Sequence, residues 1–303
     1  MHLKTDFDVI IIGGSYAGLS AAMSLGRAKW KVAIIDSGKP CNAQTPHSHN
    51  FLTQDGATPT AIGAVAREQV LSYPTVEWIE DVAVNASGEN HNFTVQTGSG
   101  KHFATKKILF ATGIKDLLPA TPGLAACWGI SVIHCPFCHG YEYSDQKTGI
   151  LVNGETTLDF ARLIRNWTSD LTIFTNGAAD FDINTKTQLE QMGVSLNEQP
   201  VERIVHENGY LTHIAFQDGS TAALKALYHR PPFEQHCKLP ETLGVQLTAQ
   251  GHIALDPAQK TNVPGIYAAG DNTSPARSVA NAVAAGSFAG ARLSHELISE
   301  QYS

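Results

Sequence analysis

Short apolar runs, each closed by a turn-forming residue, punctuate the chain. The run over residues 7–12 leads into Gly13-Gly14-Ser15-Tyr16-Ala17-Gly18, then into small and apolar residues up to about Ala28. Apolar runs bounded by turn residues predict buried strands, so the opening reads as strand, turn and helix. A second strand over 31–35 follows and ends on Asp36. The pattern returns at 107–112 (KILFAT, before Gly113), at 149–152 (GILV), at 171–175 and at 265–269. The last run precedes Gly270-Asp271 and an alanine-rich stretch over 279–298 that predicts a long terminal helix. Strands alternating with helices predict an α/β fold with parallel sheets. The same signature near residues 8 and 149 predicts two nucleotide-type domains.

Chemistry enters at the first turn. Strand, glycine turn, helix, second strand and a terminal acidic residue are the layout of a dinucleotide-binding unit. In that layout Gly13 makes the tight turn and Gly18 lets helix and strand approach closely. The helix N-terminus holds a pyrophosphate, and Asp36 takes the adenosine ribose hydroxyls. Ser15 replaces the middle glycine of G-x-G-x-x-G, a small side chain whose hydroxyl is able to donate.

Composition narrows the partners. A length of 303 residues is enough for two domains with buried cores. Twenty-one Lys and Arg against 28 Asp and Glu leave a net charge of −7 without blocks of one sign, which argues against nucleic acid or an anionic membrane. No apolar run nears the roughly 20 residues that span a bilayer. The run over 9–12 has no cleavage pattern behind it, so no signal peptide is expected and the location expected is cytoplasmic. Five cysteines in such a chain do not make a secreted disulfide framework. Cys135-Pro136-Phe137-Cys138 is a C-x-x-C pair, and several readings compete for it: a redox disulfide, two structural cysteines, a zinc site within HCPFCH, or a haem attachment site. Zinc requires four ligands crowded into six consecutive residues to surround one ion, and haem attachment requires an export context. Cys41, Cys127 and Cys237 have no partner at motif spacing and read as structural.

The turn GGSYAG, the strand KILFATG, the motif CPFCHGYE and the closing VPGIYAAGD with RSVANAVAAG resemble the low-molecular-weight thioredoxin reductase family over essentially the whole chain. The cysteine motif is most similar to that of the gliotoxin-oxidase-type branch of dithiol oxidases. The resemblance implies two Rossmann-like domains of the three-layer ββα class. One binds FAD and is built from residues 1–117 and 240–303; an NAD(P)-type domain that carries the motif, 118–239, is inserted between them. It implies a homodimer acting on a small-molecule dithiol or disulfide, or on a thioredoxin-like protein. It also implies that Cys138 is the sulfur next to the flavin and Cys135 the outer sulfur that exchanges with substrate. His139 stands where a bacterial thioredoxin reductase carries an acidic residue, and an imidazole takes and returns a thiol proton near neutrality. A histidine filling a polar gap is the alternative. Glu142 either orients that imidazole or caps the next turn, and His134 is as readily scaffold as site. Asp271 corresponds to the ligand of the flavin's ribityl hydroxyl. Ser278 is the expected cap of the last helix, whose first residues, Val279 and Ala280, face the N1 and O2 edge of the flavin. Asn50, with Gln44 and Thr45, corresponds to positions touching the isoalloxazine, and Gly113 closes the cofactor-side turn of its strand. His47 and His49 in the same loop read as solvated.

One part of the family pattern fails. A nicotinamide-using member has a second G-x-G-x-x-A turn after the strand that opens the inserted domain. Here Asn153, Glu155 and Leu158 occupy its three small positions, and Glu155 sets a negative charge against a phosphate. The cations expected after the next strand give way to Asn176-Gly177, Asp180 and Asp182. NADPH use is therefore not expected. Arg230, in His229-Arg230-Pro231-Pro232-Phe233, either binds an anion or belongs to a stiff connector. The favoured expectation is an FAD-dependent thiol–disulfide oxidoreductase that oxidises a dithiol and passes electrons to oxygen or another acceptor. The alternatives are an NADPH-dependent thioredoxin reductase and a non-catalytic flavin-binding sensor.

Overall fold

The computed structural model describes residues 6–302. They form two compact units. One comprises the chain up to Ala43, Asn50–Lys115 and everything from Phe233 on; the other comprises Gln44–His49 and Asp116–Pro232.

In the first unit the strand Phe7–Ile12 lies between Val32–Asp36 and His102–Phe110, with Val76–Glu80 outside the former and Ile266–Ala268 beside the latter, all parallel. Antiparallel strands Asn92–Thr97 and Ala83–Glu89 extend the sheet from the N-terminal half of His102–Phe110. The unbroken apolar run of the opening strand follows from coverage on both faces. Val9 and Ile11 pack with the helices Tyr16–Arg27 and Val279–Gln301, whereas Ile10 and Ile12 pack with Phe93, Val95 and Ile266. The two helices cross closely because a Cβ on Gly286 would stand 2.0 Å from the Ala17 carbonyl oxygen, so only glycine permits that approach. Trp30 Nε1 donates to Ser294 Oγ at 2.9 Å behind the crossing. Toward the C-terminal end of the terminal helix, the fully buried Lys107 donates from Nζ to Asn90 Oδ1 (2.8 Å), Glu296 Oε1 (2.7 Å) and Glu300 Oε1 (2.6 Å).

The second unit carries a parallel sheet in the order Ser195–Asn197, Leu171–Phe174, Thr148–Leu151, Ala226–His229, Val132–Ile133. A three-stranded antiparallel sheet, Val201–Glu207, Tyr210–Phe216 and Thr221–Ala223, accompanies it.

Three expectations shift. The strand expected over 107–112 spans His102–Phe110, since its polar first half pairs in a hairpin with Asn92–Thr97, a pairing that an apolar run does not reveal. The expected domain limits, 117/118 and 239/240, differ from the observed division after Lys115 and before Phe233, where Ile114–Asp116 and Phe233–Gln235 pair as a two-stranded ribbon. The segment Gln44–His49, expected in the FAD domain, groups with the other unit.

Candidate functional site

The first glycine turn is a cradle for a phosphate. Gly13 has φ +101°, and a Cβ there would meet the Ala111 carbonyl oxygen at 2.3 Å; one on Gly18 would meet the Gly13 carbonyl oxygen at 1.9 Å. Ser15 is the N-cap of helix Tyr16–Arg27 and its side chain makes no capping bond, so the first-turn N–H groups are left for an anion. Asp36 ends its strand with Oδ2 accepting from Gly14 N at 2.6 Å and Oδ1 from Gly38 N at 2.7 Å, which braces the turn and leaves lone pairs on each oxygen. Thr112 Oγ1, beside the turn, is buried and finds no hydrogen-bond partner among the described residues. The indole of Trp78 covers Gly14, with the Arg67 guanidinium carbon 3.9 Å from its ring centre. Neither Trp78 nor Thr112 was singled out by sequence. Trp78 gives no motif signal, and Thr112 is recognisable only as the residue between an apolar strand and Gly113.

At the opposite chain end Gly270 has φ +95° and is followed by Asp271, whose Oδ2 lies 3.7 Å from Arg277 Nε. Ser278 caps the terminal helix, its Oγ accepting from Asn281 N at 3.1 Å, and Val279 is the first helical residue. The fully buried Asn272, which sequence did not single out, donates from Nδ2 to Phe110 O at 3.0 Å, while its Oδ1 finds no partner among the described residues. Asn50, at φ +58°, donates its N–H to Asp55 Oδ1 at 2.7 Å. Gly113 also has a positive φ, +62°. Glycine turn, open helix N-terminus and two unsatisfied buried oxygens fit a flavin dinucleotide. Gln44 belongs to the second unit, where its Nε2 donates to Trp128 O at 2.6 Å.

The cysteine motif lies in the second unit. Cys135 is the N-cap of the single turn Pro136–His139, which brings Cys138 back beside it with the two sulfurs 2.6 Å apart. Gly140 closes the turn, its N–H donating to Pro136 O at 2.7 Å, and a Cβ on it would meet Pro136 O at 2.5 Å and Tyr228 Oη at 3.0 Å. The Cys135 thiol falls from an ordinary 9.0 to about 7, chiefly through the hydrogen bond from Cys138, then through backbone N–H groups of Cys138 and Phe137 and the charge of Arg230, with burial opposing. The Arg230 guanidinium is held 4.0 Å from the Phe160 ring centre. Burial holds the His139 imidazole below its ordinary 6.5, the Glu142 charge works the other way, and His49 adds to the lowering. His139 is therefore neutral at pH 7 and ready to accept a proton. Phe137 is exposed beside the sulfurs, its ring edge-on to Trp167. His134 stacks on Trp128, a scaffold contact. Cys127 is buried, and burial raises its thiol, as it does for Cys237. Among the described residues no group of three or more His, Cys, Asp or Glu is arranged around a metal position.

The turn after Thr148–Leu151 is closed by Asn153. Its Oδ1 accepts from Gly154 N (3.0 Å) and Asp180 N (2.7 Å), and its Nδ2 donates to Ala178 O (2.9 Å). Glu155 is exposed, and Asp159 occupies the first turn of helix Thr157–Ile164. Arg162 pairs with Asp159 and Lys186 with Glu198. The Gly154 and Asp180 N–H groups are thus both taken by the Asn153 side chain. No helix of the described residues is long and apolar enough to cross a membrane.

Residues 7–286 match the pyridine nucleotide-disulphide oxidoreductase family. The thioredoxin reductase sirT of Leptosphaeria maculans is 32% identical over 96% of this chain and 94% of its own. A crystal structure of an oxidoreductase from Agrobacterium tumefaciens superimposes with TM-score 0.90 at 37% identity, covering 96% of this chain and 98% of that one. The crystal structure of HlmI superimposes with TM-score 0.91 at 34% identity, covering 98% and 94%. The chain belongs to the pyridine nucleotide-disulphide oxidoreductase family, as a thioredoxin reductase-like flavin oxidoreductase.

Proposed function

We propose that the protein oxidises a dithiol through the Cys135–Cys138 pair, with FAD as the internal electron acceptor and without NADPH. The observation that carries this reading is the geometry of the motif, two sulfurs 2.6 Å apart on one turn that His139 ends; the lowered Cys135 thiol and the lowered His139 imidazole support it. With the pair oxidised, a substrate thiolate attacks Cys135 Sγ and the Cys135–Cys138 bond breaks, with Cys138 leaving as thiolate. The second substrate thiol gives its proton to His139, attacks the mixed disulfide and releases Cys135 as thiolate. The substrate loses two electrons and the pair gains them. FAD, when bound, supplies a two-electron acceptor that oxygen or another oxidant regenerates. Gly13, Gly18, Ser15 and Asp36 would hold its pyrophosphate and ribose; Asp271, Asn50, Gly113, Ser278 and Val279 would line its flavin end. Asn153 and Glu155 support the absence of NADPH turnover, because binding it would require breaking the Asn153 latch and placing phosphate beside a carboxylate. A homodimer in the cytoplasm, acting on a small-molecule dithiol or a thioredoxin-like protein, belongs to the same reading.

The name carried by the sirT relative favours a second reading, an NADPH-dependent thioredoxin reductase running the pair in reverse. Anaerobic titration of the yellow holoprotein separates the two. Dithiothreitol is expected to bleach the flavin and NADPH or NADH to leave it oxidised; fast, saturable bleaching by NADPH selects the reductase.

A further inference from the structure

Within the second unit the parallel strands Val132–Ile133 and Ala226–His229 run side by side, with Tyr228 opposite Ile133. Two residues beyond that pair both chains leave the sheet at its carboxyl edge, one as Cys135 and the other as Arg230. Adjacent strands lie about 4.8 Å apart, and the carboxyl edge of an α/β sheet is where ligands bind. The backbone is tied down on both sides of Arg230: His229 Nδ1 lies 2.9 Å from Leu151 O, and Pro232 O accepts from Leu117 N at 2.8 Å. The guanidinium carbon stands 4.0 Å from the ring centre of Phe160, a buried ring that itself meets the Tyr228 ring edge-on at 6.2 Å. The cation is thus fixed by a rigid platform while the residue as a whole stays exposed. Among the described residues its N–H donors meet no hydrogen-bond acceptor and no carboxylate. The nearest acid along the chain, Glu234, is held by Lys115 at 3.2 Å. The sulfur does not use the cation up either, since the Arg230 charge is the last of the causes acting on the Cys135 thiol.

Building on the dithiol oxidation proposed above, we infer that Arg230 is a specificity-determining residue of that site, and that its guanidinium binds a carboxylate carried by a small dithiol substrate whose thiols meet Cys135. The substrate class is then an anionic dithiol. The planar fork of an arginine matches a carboxylate with two parallel N–H···O bonds, and a side chain already held against a ring loses little further freedom on binding. Pro231 and Pro232, which follow it, restrict the backbone that carries it. Phe137 and Tyr141, exposed on either side of Cys138, are uncharged, and the Glu142 carboxylate lies 3.4 Å from His49 Nε2. One fixed cation beside uncharged rings, on a chain of net charge −7, suits a single anionic group and not an acidic protein surface.

The test compares two dithiols with the same thiols and different far ends, dihydrolipoate with its carboxylate and neutral dihydrolipoamide, on the FAD-loaded protein. Flavin bleaching is followed anaerobically by stopped flow at pH 7 over a range of dithiol concentrations. At low concentration the wild type is expected to bleach about tenfold faster with dihydrolipoate, the effect of one hydrogen-bonded charge. The limiting rates at saturation should be similar, because the contact binds substrate and does not react. In Arg230→Gln the ratio of the two low-concentration rates should fall to about one; any general slowing from a less acidic Cys135 acts on both dithiols and divides out. Arg230→Lys, which keeps the charge without the fork, should give an intermediate ratio. Raising salt from about 0.05 to about 0.5 M should shrink the wild-type ratio, a readout that needs no variant. Equal bleaching of the wild type by the two dithiols overturns the inference, as does a preference that Arg230→Gln keeps or that salt leaves untouched. If dithiothreitol, dihydrolipoamide and dihydrolipoate all fail to bleach the wild type, the dithiol-oxidase reading itself falls; if all three bleach it without preference, only the role of Arg230 does.

Discussion

Removing the Cys138 thiol tests whether the motif activates its outer sulfur. The hydrogen bond from Cys138 is the first cause of the low Cys135 value, about 7 against an ordinary 9.0. At pH 7 roughly half of such thiols are ionised, against about one in a hundred at the ordinary value, a gain of about fiftyfold. Each thiolate is weaker as a nucleophile by roughly tenfold at a Brønsted slope near 0.5, which leaves a net advantage of about fivefold. In Cys138→Ala the donor is gone and only backbone N–H groups and Arg230 still oppose burial. Alkylation of Cys135 by iodoacetamide at pH 7 should then slow by about fivefold, and above about pH 9 the order should reverse, because the less acidic thiolate is the stronger nucleophile. The assay is alkylation of reduced protein across pH 5 to 10, read by peptide fragmentation so that the exposed Cys41 is counted separately. A wild-type midpoint near 9, or one that Cys138→Ala leaves unmoved, would refute the reasoning.

Cys138→Ser should abolish electron flow from thiols to flavin, whereas Cys135→Ser should leave a thiolate that gives a long-wavelength charge-transfer band; exchanged phenotypes would reverse the inner and outer assignments. Asp36→Ala removes the acceptor that braces Gly14 and Gly38, and FAD affinity should fall by about 1–3 kcal/mol, measurable by equilibrium dialysis against an unchanged wild type. Lys107→Met removes one partner from each of the Glu296 and Glu300 carboxylates, which keep Lys260 with Tyr267 and His91 respectively, and should lower stability to urea by about 1–3 kcal/mol. Hydrogen bonds from Lys107, Lys260 and Tyr267 overcome burial and hold Glu296 at about 2, below its ordinary 4.5. Its stabilisation is therefore present above 4.5 and lost as pH falls toward 2, so the wild-type Tm should drop across that window and drop less in Glu296→Gln.

Much of the fold was legible because it is written locally. The run over 7–12, the GGSYAG turn and Asp36 at the end of a second strand are close in sequence, and each carries its own steric or electrostatic requirement: a positive φ at Gly13, a carboxylate within reach of Gly14 N, a capping hydroxyl at Ser278. The C-x-x-C spacing places two sulfurs on one helical turn without help from the rest of the chain. The polar half of strand His102–Phe110 was hidden because its reason to be a strand is a partner ten residues earlier, not its own apolarity. Trp78 over Gly14, Asn272 on Phe110 O and the Asn153 latch across two loops were equally hidden, since a side chain's long-range partner leaves no periodic trace. The clearest case is Gln44–His49. Composition alone reads its histidines as solvated, and linear domain limits assign the segment to the FAD domain. Only the three-dimensional chain path brings His49 to Glu142 and so within electrostatic reach of His139, because charge acts through space and is indifferent to the ninety residues that separate His49 from His139 along the chain.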